Sequence, residues 1–257
     1  RDLHSFPTRR SSDLIFGIRA VMEAVEAGKD IDKVLVKREL SGDLFMELQQ
    51  LLRTYEIPLQ RVPLERIDRI TRKNHQGVIA FTSAVTYQKL EDILPALYEE
   101  GKNPFIVVLD GVTDVRNFGA IARTCEVAGV HAIVIPAKGS VTVNADAIKT
   151  SAGALHTIPV CREQNLREAI VFLKNSGVKV VAATEKAARF YTDSDYSVPT
   201  AIVMGAEDTG VAADHLRASD ELVRIPQFGS IQSLNVSVAA GVLIYEVIRQ
   251  RSLTASS

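Results

Sequence analysis

Tryptophan is absent from the 257 residues and cysteine occurs only twice, at Cys125 and Cys161. The two thiols form no CxxC pair and stand in no His/Cys cluster of metal-ligand spacing, so no local metal site or disulfide framework is expected. Both lie in apolar patterns and read as small buried hydrophobes. No apolar run reaches the ~18 to 20 residues that cross a bilayer, which disfavours a membrane protein and makes the cytoplasm the expected location. Excess charge is missing as well. At a formal net charge of −1 the chain lacks the global basic field of many nucleic-acid binders, so any RNA contact has to be local. Missing too are a GxGxxG after a strand and a GxxxxGK[ST] anywhere, and dinucleotide and P-loop readings lose support accordingly.

What is present is an ordinary globular mixture. With 46% apolar and 24% charged residues there is material for a core in each of two domains. The opening residues 1–14, RDLHSFPTRRSSDL, stand apart: they show no initiating Met, no apolar periodicity and no secretory core, and are expected to be a non-native leader. Residues 15–84 read as helix (19–27), strand (33–36), helix (42–55), strand (58–62), polar helix (64–70) and strand (78–82), a small α/β domain. Its Arg66, Arg69, Arg72, Lys73 and His75 form a basic cluster that suits phosphate and a solvated helix face equally. A linker helix is expected in 85–104, where Leu90, Ile93, Leu94 and Leu97 recur at helical spacing before Gly101 and Pro104.

From 105 to 251, apolar strands (105–110, 131–136, 156–160, 179–184, 201–205, 221–226) alternate with helices (119–128, 166–175, 212–218, 233–251). That alternation predicts an α/β domain with a parallel sheet covered on both faces, leaving 252–257 as a tail. In such sheets ligands collect at the carboxyl ends of the strands, and three unusual loops lie there. The first, DGVTDVRNFGAIARTCEVAGV, follows strand 105–110. Asn117 is placed to cap the next helix, and Gly119, Ala120, Ala122 and Ala128 keep that helix thin enough for another backbone to approach. Arg123 lies among these small residues, where a structural ion pair and a catalytic cation account for it equally. The second loop, MGAEDTGV, ends its strand at Gly205 and sets the Glu207 carboxylate at the strand's edge, with Gly210 for a left-handed turn. The third, IPQFGSIQSLNVSVAAGVLIYEVIRQR, enters a helix with a polar first turn and an apolar body. Ser233 and Asn235 stand at its start, either as caps or beside a helix terminus suited to an anion.

Together the loops resemble the three sequence motifs of the SpoU/TrmH branch of the SPOUT methyltransferases. The resemblance is carried by Asn117, Gly119, Arg123 and Gly129; by Gly205, Glu207 and Gly210; and by Ile225, Pro226, Ser233, Leu234, Asn235, Ser237, Ala239, Gly241 and Glu246. Upstream, GIRAV (17–21) and NHQGVIAF (74–81) are similar to the amino-terminal domain of the bacterial 23S ribosomal RNA guanosine 2′-O-methyltransferase group.

The resemblance implies a deep trefoil knot in the carboxyl-terminal sheet, which general topology rules would not predict, and a ribosomal-protein-like RNA-binding domain before it. It implies S-adenosylmethionine as cofactor, held through main-chain groups at Gly205, Ile225 and Leu234, with Thr184 and Met204 lining the cleft, Pro226 and Ser233 beside them, and no metal. The reaction it implies is methyl transfer to a ribose 2′-hydroxyl, with guanosine in 23S ribosomal RNA favoured and transfer RNA as the alternative. Arg123 is implied to meet that hydroxyl. A permanently protonated guanidinium cannot accept the proton, so its role is to orient the hydroxyl or stabilise the developing alkoxide. Asn117, Glu207 and Asn235 are expected to hold the geometry, Arg72, Lys73 and His75 to contact RNA, and helices 119–128 and 233–251 to make a homodimer. Two other classes compete. A non-catalytic RNA-binding protein on this fold would not bind the cofactor, and a nicotinamide-dependent oxidoreductase would need the missing glycine fingerprint.

Overall fold

Mostly buried strands and the helices that cover them assemble into two units, 1–84 and 85–257, in a computed structural model that describes residues 14–230 and 233–255. The first unit runs β1 (Leu14–Phe16), α1 (Ile18–Glu26), β2 (Ile31–Lys37), α2 (Asp43–Thr54), β3 (Leu59–Val62), α3 (Leu64–Ile70) and β4 (Val78–Thr82). Its sheet has the order β1-β4-β2-β3, with β4 antiparallel to β1 and β2, and β3 parallel to β2. Alternate residues of the central strands go to opposite faces: Val34, Val36, Val78 and Ala80 pack with α1 and α2, while Leu35, Ile79 and Phe81 pack with Ile67 of α3. Leu14, counted in the expected leader 1–14, opposes Phe81 in β1; residues 1–13 lie outside the described residues.

The second unit contains α4 (Leu90–Glu99), β5 (Phe105–Asp110), α5 (Val115–Val127), β6 (Ala132–Pro136), α6 (Ala145–Thr150), β7 (Val160–Glu163) and α7 (Leu166–Asn175). It continues through β8 (Lys179–Ala183), β9 (Arg189–Phe190), β10 (Thr200–Gly205), α8 (Ala213–Ala218), β11 (Glu221–Arg224) and α9 (Val236–Ala255). Seven strands lie in the order β7-β6-β5-β10-β8-β11-β9, every neighbouring pair parallel. Val107, Leu109, Ile133, Ile135 and Ile202 face α5 and α9; Ile106, Val108, Val134, Ala201 and Val203 face α4 and α7. Both faces are therefore covered, which is why these strands are apolar at every position. The segment that the resemblance threads into a knot includes residues 231 and 232, which lie outside the described residues.

Several boundaries differ from the sequence reading. The strand expected at 156–160 is a 3-10 turn, Ala154–His156, and pairing begins only at Val160, because the amides of Thr157 and Ile158 bond back to the Ala154 carbonyl. The expected tail is helical to Ala255. The helix expected to link the domains is α4, and its Leu90, Leu94 and Leu97 are buried in the core of the second unit. At the amino ends of the strands, the Arg251 guanidinium of α9 donates to the carbonyls of Asn103, Pro104, Tyr196 and Val198 over 2.9–3.1 Å, pinning α9 to the starts of β5 and β10. Among the described residues no helix is long and apolar enough to cross a membrane.

Both cysteines lie in the core, and burial raises their thiols, Cys161 to about 12 and Cys125 beyond that. Since the thiolate is the reactive species, neither should react with an aromatic disulfide reagent at pH 8 in the native protein, and both should react in denaturant. Labelling of either thiol in the native state would contradict this packing.

Candidate functional site

At the end of β5 the chain turns and α5 begins under a cap supplied by Asp114, not by Asn117 as the sequence suggested. The Asp114 Oδ1 accepts the amides of Arg116 and Asn117, both at 2.9 Å. Asn117 thus sits in the first helical turn with its side chain available for other bonds. Two residues on, a Cβ at Gly119 would lie 2.6 Å from Thr150 Cβ and 3.0 Å from the Ser151 nitrogen, so α6 is the backbone that the thin helix admits.

The second loop is closed by its own glycines. A Cβ on Gly205 would fall 2.0 Å from the Gly210 carbonyl carbon and 2.1 Å from the Val211 nitrogen. Gly210, at φ +66°, donates its amide back to Ala206 at 2.9 Å. The demand for glycine at 205 therefore comes first from the loop folding onto the strand end, and Glu207 projects from that closed loop.

The third loop ends where Asn235 caps α9, its Oδ1 accepting from the amides of Ser237 at 3.0 Å and Val238 at 3.4 Å. The same side chain reaches sideways. Its Nδ2 donates to Asn117 Oδ1 at 3.0 Å and to Glu207 Oε1, and Asn117 Nδ2 donates to that same Oε1 at 3.0 Å. The Val236 amide adds a longer contact of 3.4 Å. Three residues from three loops thus converge on one carboxylate oxygen, placed at the positive end of the α9 dipole. Beside them is a cavity of about 210 Å³ bounded by 111–114, 206–208, Asn117 and Val236.

Arg123 does not join this cluster within one chain. It lies six positions after Asn117 on α5, roughly 240° around and 9 Å along the helix. Its side chain is exposed and has no ion pair among the described residues, so the structural-pair reading falls away. It shares an outward stripe with Arg116 and with Val127, which is 65% exposed. The neighbouring helix α9 presents Val238 and Tyr245, each about half exposed.

The expected cofactor residues divide into three groups. Ile225 and Pro226 line a second cavity, about 290 Å³, together with Glu185, Phe190, Arg224 and Phe228. Thr184 stands at the same strand ends, its amide bonded to the Val223 carbonyl at 2.9 Å, and Gly205 closes β10 nearby. Ser233 and Leu234 are exposed just before α9. Met204 departs from expectation: its side chain is 3% exposed and packs in the core, so only its main chain is available to a ligand. Two observations test whether these residues suit S-adenosylmethionine. The main chain of 227–230 makes no backbone hydrogen bond among the described residues, and Arg224 Nε is buried without a hydrogen-bond partner. Main-chain groups without a backbone partner among the described residues, beside a partly apolar cavity, suit the edge of an adenine ring. The residues fit.

In the first unit, His75 is committed to the fold. Its Nδ1 accepts the Gly77 amide at 3.0 Å, so Nε2 carries the proton and donates to Asp68 at 3.0 Å. This bond shapes a turn in which Gln76 and Gly77 both take positive φ, 52° and 78°. His75, expected to contact RNA, clasps the NHQG turn. Arg72 and Lys73 are exposed beside it, with the Lys73 ammonium 5.2 Å from the Phe16 ring centroid. Arg66 and Arg69 are exposed on α3, where Glu65 and Asp68 interrupt the positive charge.

Comparison with known proteins places the chain in a family. Residues 104–245 match the SpoU rRNA Methylase family, and residues 14–88 match the RNA 2′-O ribose methyltransferase substrate binding family. The chain is 38% identical over 249 residues to the 23S rRNA (guanosine-2′-O-)-methyltransferase RlmB of Yersinia pestis, covering 95% of this chain and 100% of that protein. It is 37% identical over 245 residues to RlmB of Photorhabdus laumondii, covering 94% and 99%. Among solved structures, the AdoMet-bound rRNA methyltransferase of Sinorhizobium meliloti superposes with a TM-score of 0.59 at 28% identity, over 92% of this chain and 87% of that one. The chain belongs to the SpoU rRNA methylase family and is an S-adenosylmethionine-dependent RNA 2′-O-ribose methyltransferase.

Proposed function

We propose that this enzyme methylates the 2′-hydroxyl of a guanosine in 23S ribosomal RNA, and that it works as a homodimer in which Arg123 of one subunit completes the site of the other. The observation that carries the reading is the meeting of Asn117, Glu207 and Asn235 on one carboxylate oxygen. Relatives 37–38% identical over nearly the whole chain are named 23S rRNA (guanosine-2′-O-)-methyltransferases, which favours that substrate. Bound S-adenosylmethionine supplies an electrophilic methyl group on a sulfonium. The protein's own task is to hold the three loops rigid, aim a ribose hydroxyl, and stabilise the oxygen as it loses its proton. Arg123 suits the last task as a fixed cation, while the proton leaves to water or an RNA phosphate. Its exposed position, turned away from its own Asn117, favours a site shared across a two-fold axis running past α5 and α9. The apolar side chains exposed on those two helices favour the same interface.

Removing one donor that stabilises a developing anion typically costs ~10²- to 10³-fold in turnover. Arg123→Ala should therefore lose methyl transfer by about that factor, while calorimetric binding of S-adenosylmethionine stays near wild type. Normal turnover by the variant would remove Arg123 from the mechanism. Mass-spectrometric mapping of ribose methylation in a deletion strain should show one 23S guanosine unmodified, and light scattering at micromolar concentration should give the mass of two chains. An intact 23S methylation pattern would redirect the search to another RNA.

The exposed pair Arg72 and Lys73 is assigned to RNA phosphates. Replacing both with Ala should weaken RNA binding and lower the salt slope by about 1 to 2. Unchanged affinity and slope would move the RNA surface elsewhere.

A further inference from the structure

The tip of the second loop is fixed by Asn117 and Asn235, but its base is fixed by a pair that the site described above does not include. Asp110 is the last residue of β5 and lies in register with Gly205, the last residue of β10. Its Oδ2 accepts the Ala212 amide at 2.7 Å and His215 Nδ1 at 2.7 Å. Both side chains are more than four-fifths buried, at 14% and 17% exposed, so solvent competes poorly for these bonds. The next helix, α8, has Ala212 at its cap position and therefore no cap of its own. The Asp110 carboxylate, from the neighbouring strand, accepts the amide of that cap residue, one of the donors that the helix cannot satisfy itself.

Loop 206–212 is consequently held at both ends. Gly205 lets the loop fold onto the strand, the Ala206–Gly210 bridge closes it, and Asp110 fastens its exit to the adjacent strand. What projects from the middle of this clasp is Glu207. We propose that Asp110 and His215 are positioning residues for methyl transfer, forming a latch that fixes the loop so that Glu207 meets Asn117 and Asn235. His215 acts through Asp110: its Nδ1–H orients the carboxylate, and the second donor, the Ala212 amide, fixes the chain. Neither residue touches the 210 Å³ cavity, whose lining begins at Gly111.

This inference rests on the methyltransferase reading, and the test separates the two. Wild-type enzyme, Asp110→Ala, His215→Ala and His215→Asn are compared for turnover on RNA, cofactor affinity, melting temperature and amide hydrogen exchange in 206–212. Asparagine retains an N–H donor near the place of Nδ1, so it is the conservative replacement. Loss of one charge-assisted bond corresponds to about a tenfold or greater effect. The latch predicts that Asp110→Ala and His215→Ala lower kcat by about that factor, with cofactor affinity falling in step, as expected of any change that releases Glu207 from Asn117 and Asn235. Exchange in 206–212 should rise, and His215→Asn should recover most of the lost kcat. Wild-type kcat and exchange in both alanine variants would overturn the proposal. So would a kcat loss that follows melting temperature and is not recovered by His215→Asn. If Asp110→Ala does not fold, the His215 series carries the test alone. Failure of the wild-type enzyme to methylate RNA would strike the functional reading, while the exchange measurement would still judge the latch.

Discussion

One carboxylate oxygen, Glu207 Oε1, is the point on which the site depends. It accepts from Asn117 on α5, from Asn235 at the start of α9 and, at longer range, from the Val236 amide. The three partners are 90, 28 and 29 residues away in sequence. They meet because β5 and β10 are neighbours in the sheet and α9 returns to pack against α5. Bonds to an ionised acceptor contribute ~1.5 to 3 kcal/mol each when shielded, and less at an exposed rim. Full burial of a single aliphatic side chain contributes a similar ~1.5 to 3 kcal/mol, and each sheet face holds many such side chains. The core therefore holds the fold, and the Glu207 cluster holds only the relation between the loops. Such a division lets a site be exact in geometry without bearing the stability of the domain.

The same logic explains the distribution of glycine and small residues. Gly205 is required because the loop folds back onto its own strand end, and Gly119 because α6 approaches α5 at van der Waals limits. Both set the distance between neighbouring elements, so a motif that looks like a ligand cradle in sequence is in part a packing device. His75 makes a parallel case in the first unit. Its ring is spent on the turn that carries Gln76 and Gly77, and the exposed cations beside that turn are Arg72 and Lys73.

Strand and helix periodicity made the parallel sheet and its two covered faces legible, because strands buried on both sides must be apolar at every position. Boundaries were less legible where local polar groups decide them. Asp114 outcompetes Asn117 for the cap of α5, and the Ala154 carbonyl draws 156–158 into a turn instead of a strand. The residues of the site could be named from three motifs, yet their bonding could not, since the contacts of Asn117, Glu207 and Asn235 are all between loops distant in the chain. Asp110 gave no signal beyond being a charged residue at the end of an apolar strand. Arg123 shows the limit of reading a helix as a string: its neighbours in sequence are small and apolar, but the helix turns its guanidinium outward.

If the loops are held together by Glu207, then Glu207→Gln should act on the site as a whole. The amide keeps the shape but replaces an ionised acceptor and offers an NH₂ group toward side chains that already donate. The measurement is S-adenosylmethionine affinity by calorimetry, paired with methyl transfer to RNA on the same preparation. The account predicts that both fall together, each by about tenfold or more, while the melting temperature stays within a few degrees of wild type. Native affinity together with native turnover in that variant would contradict it.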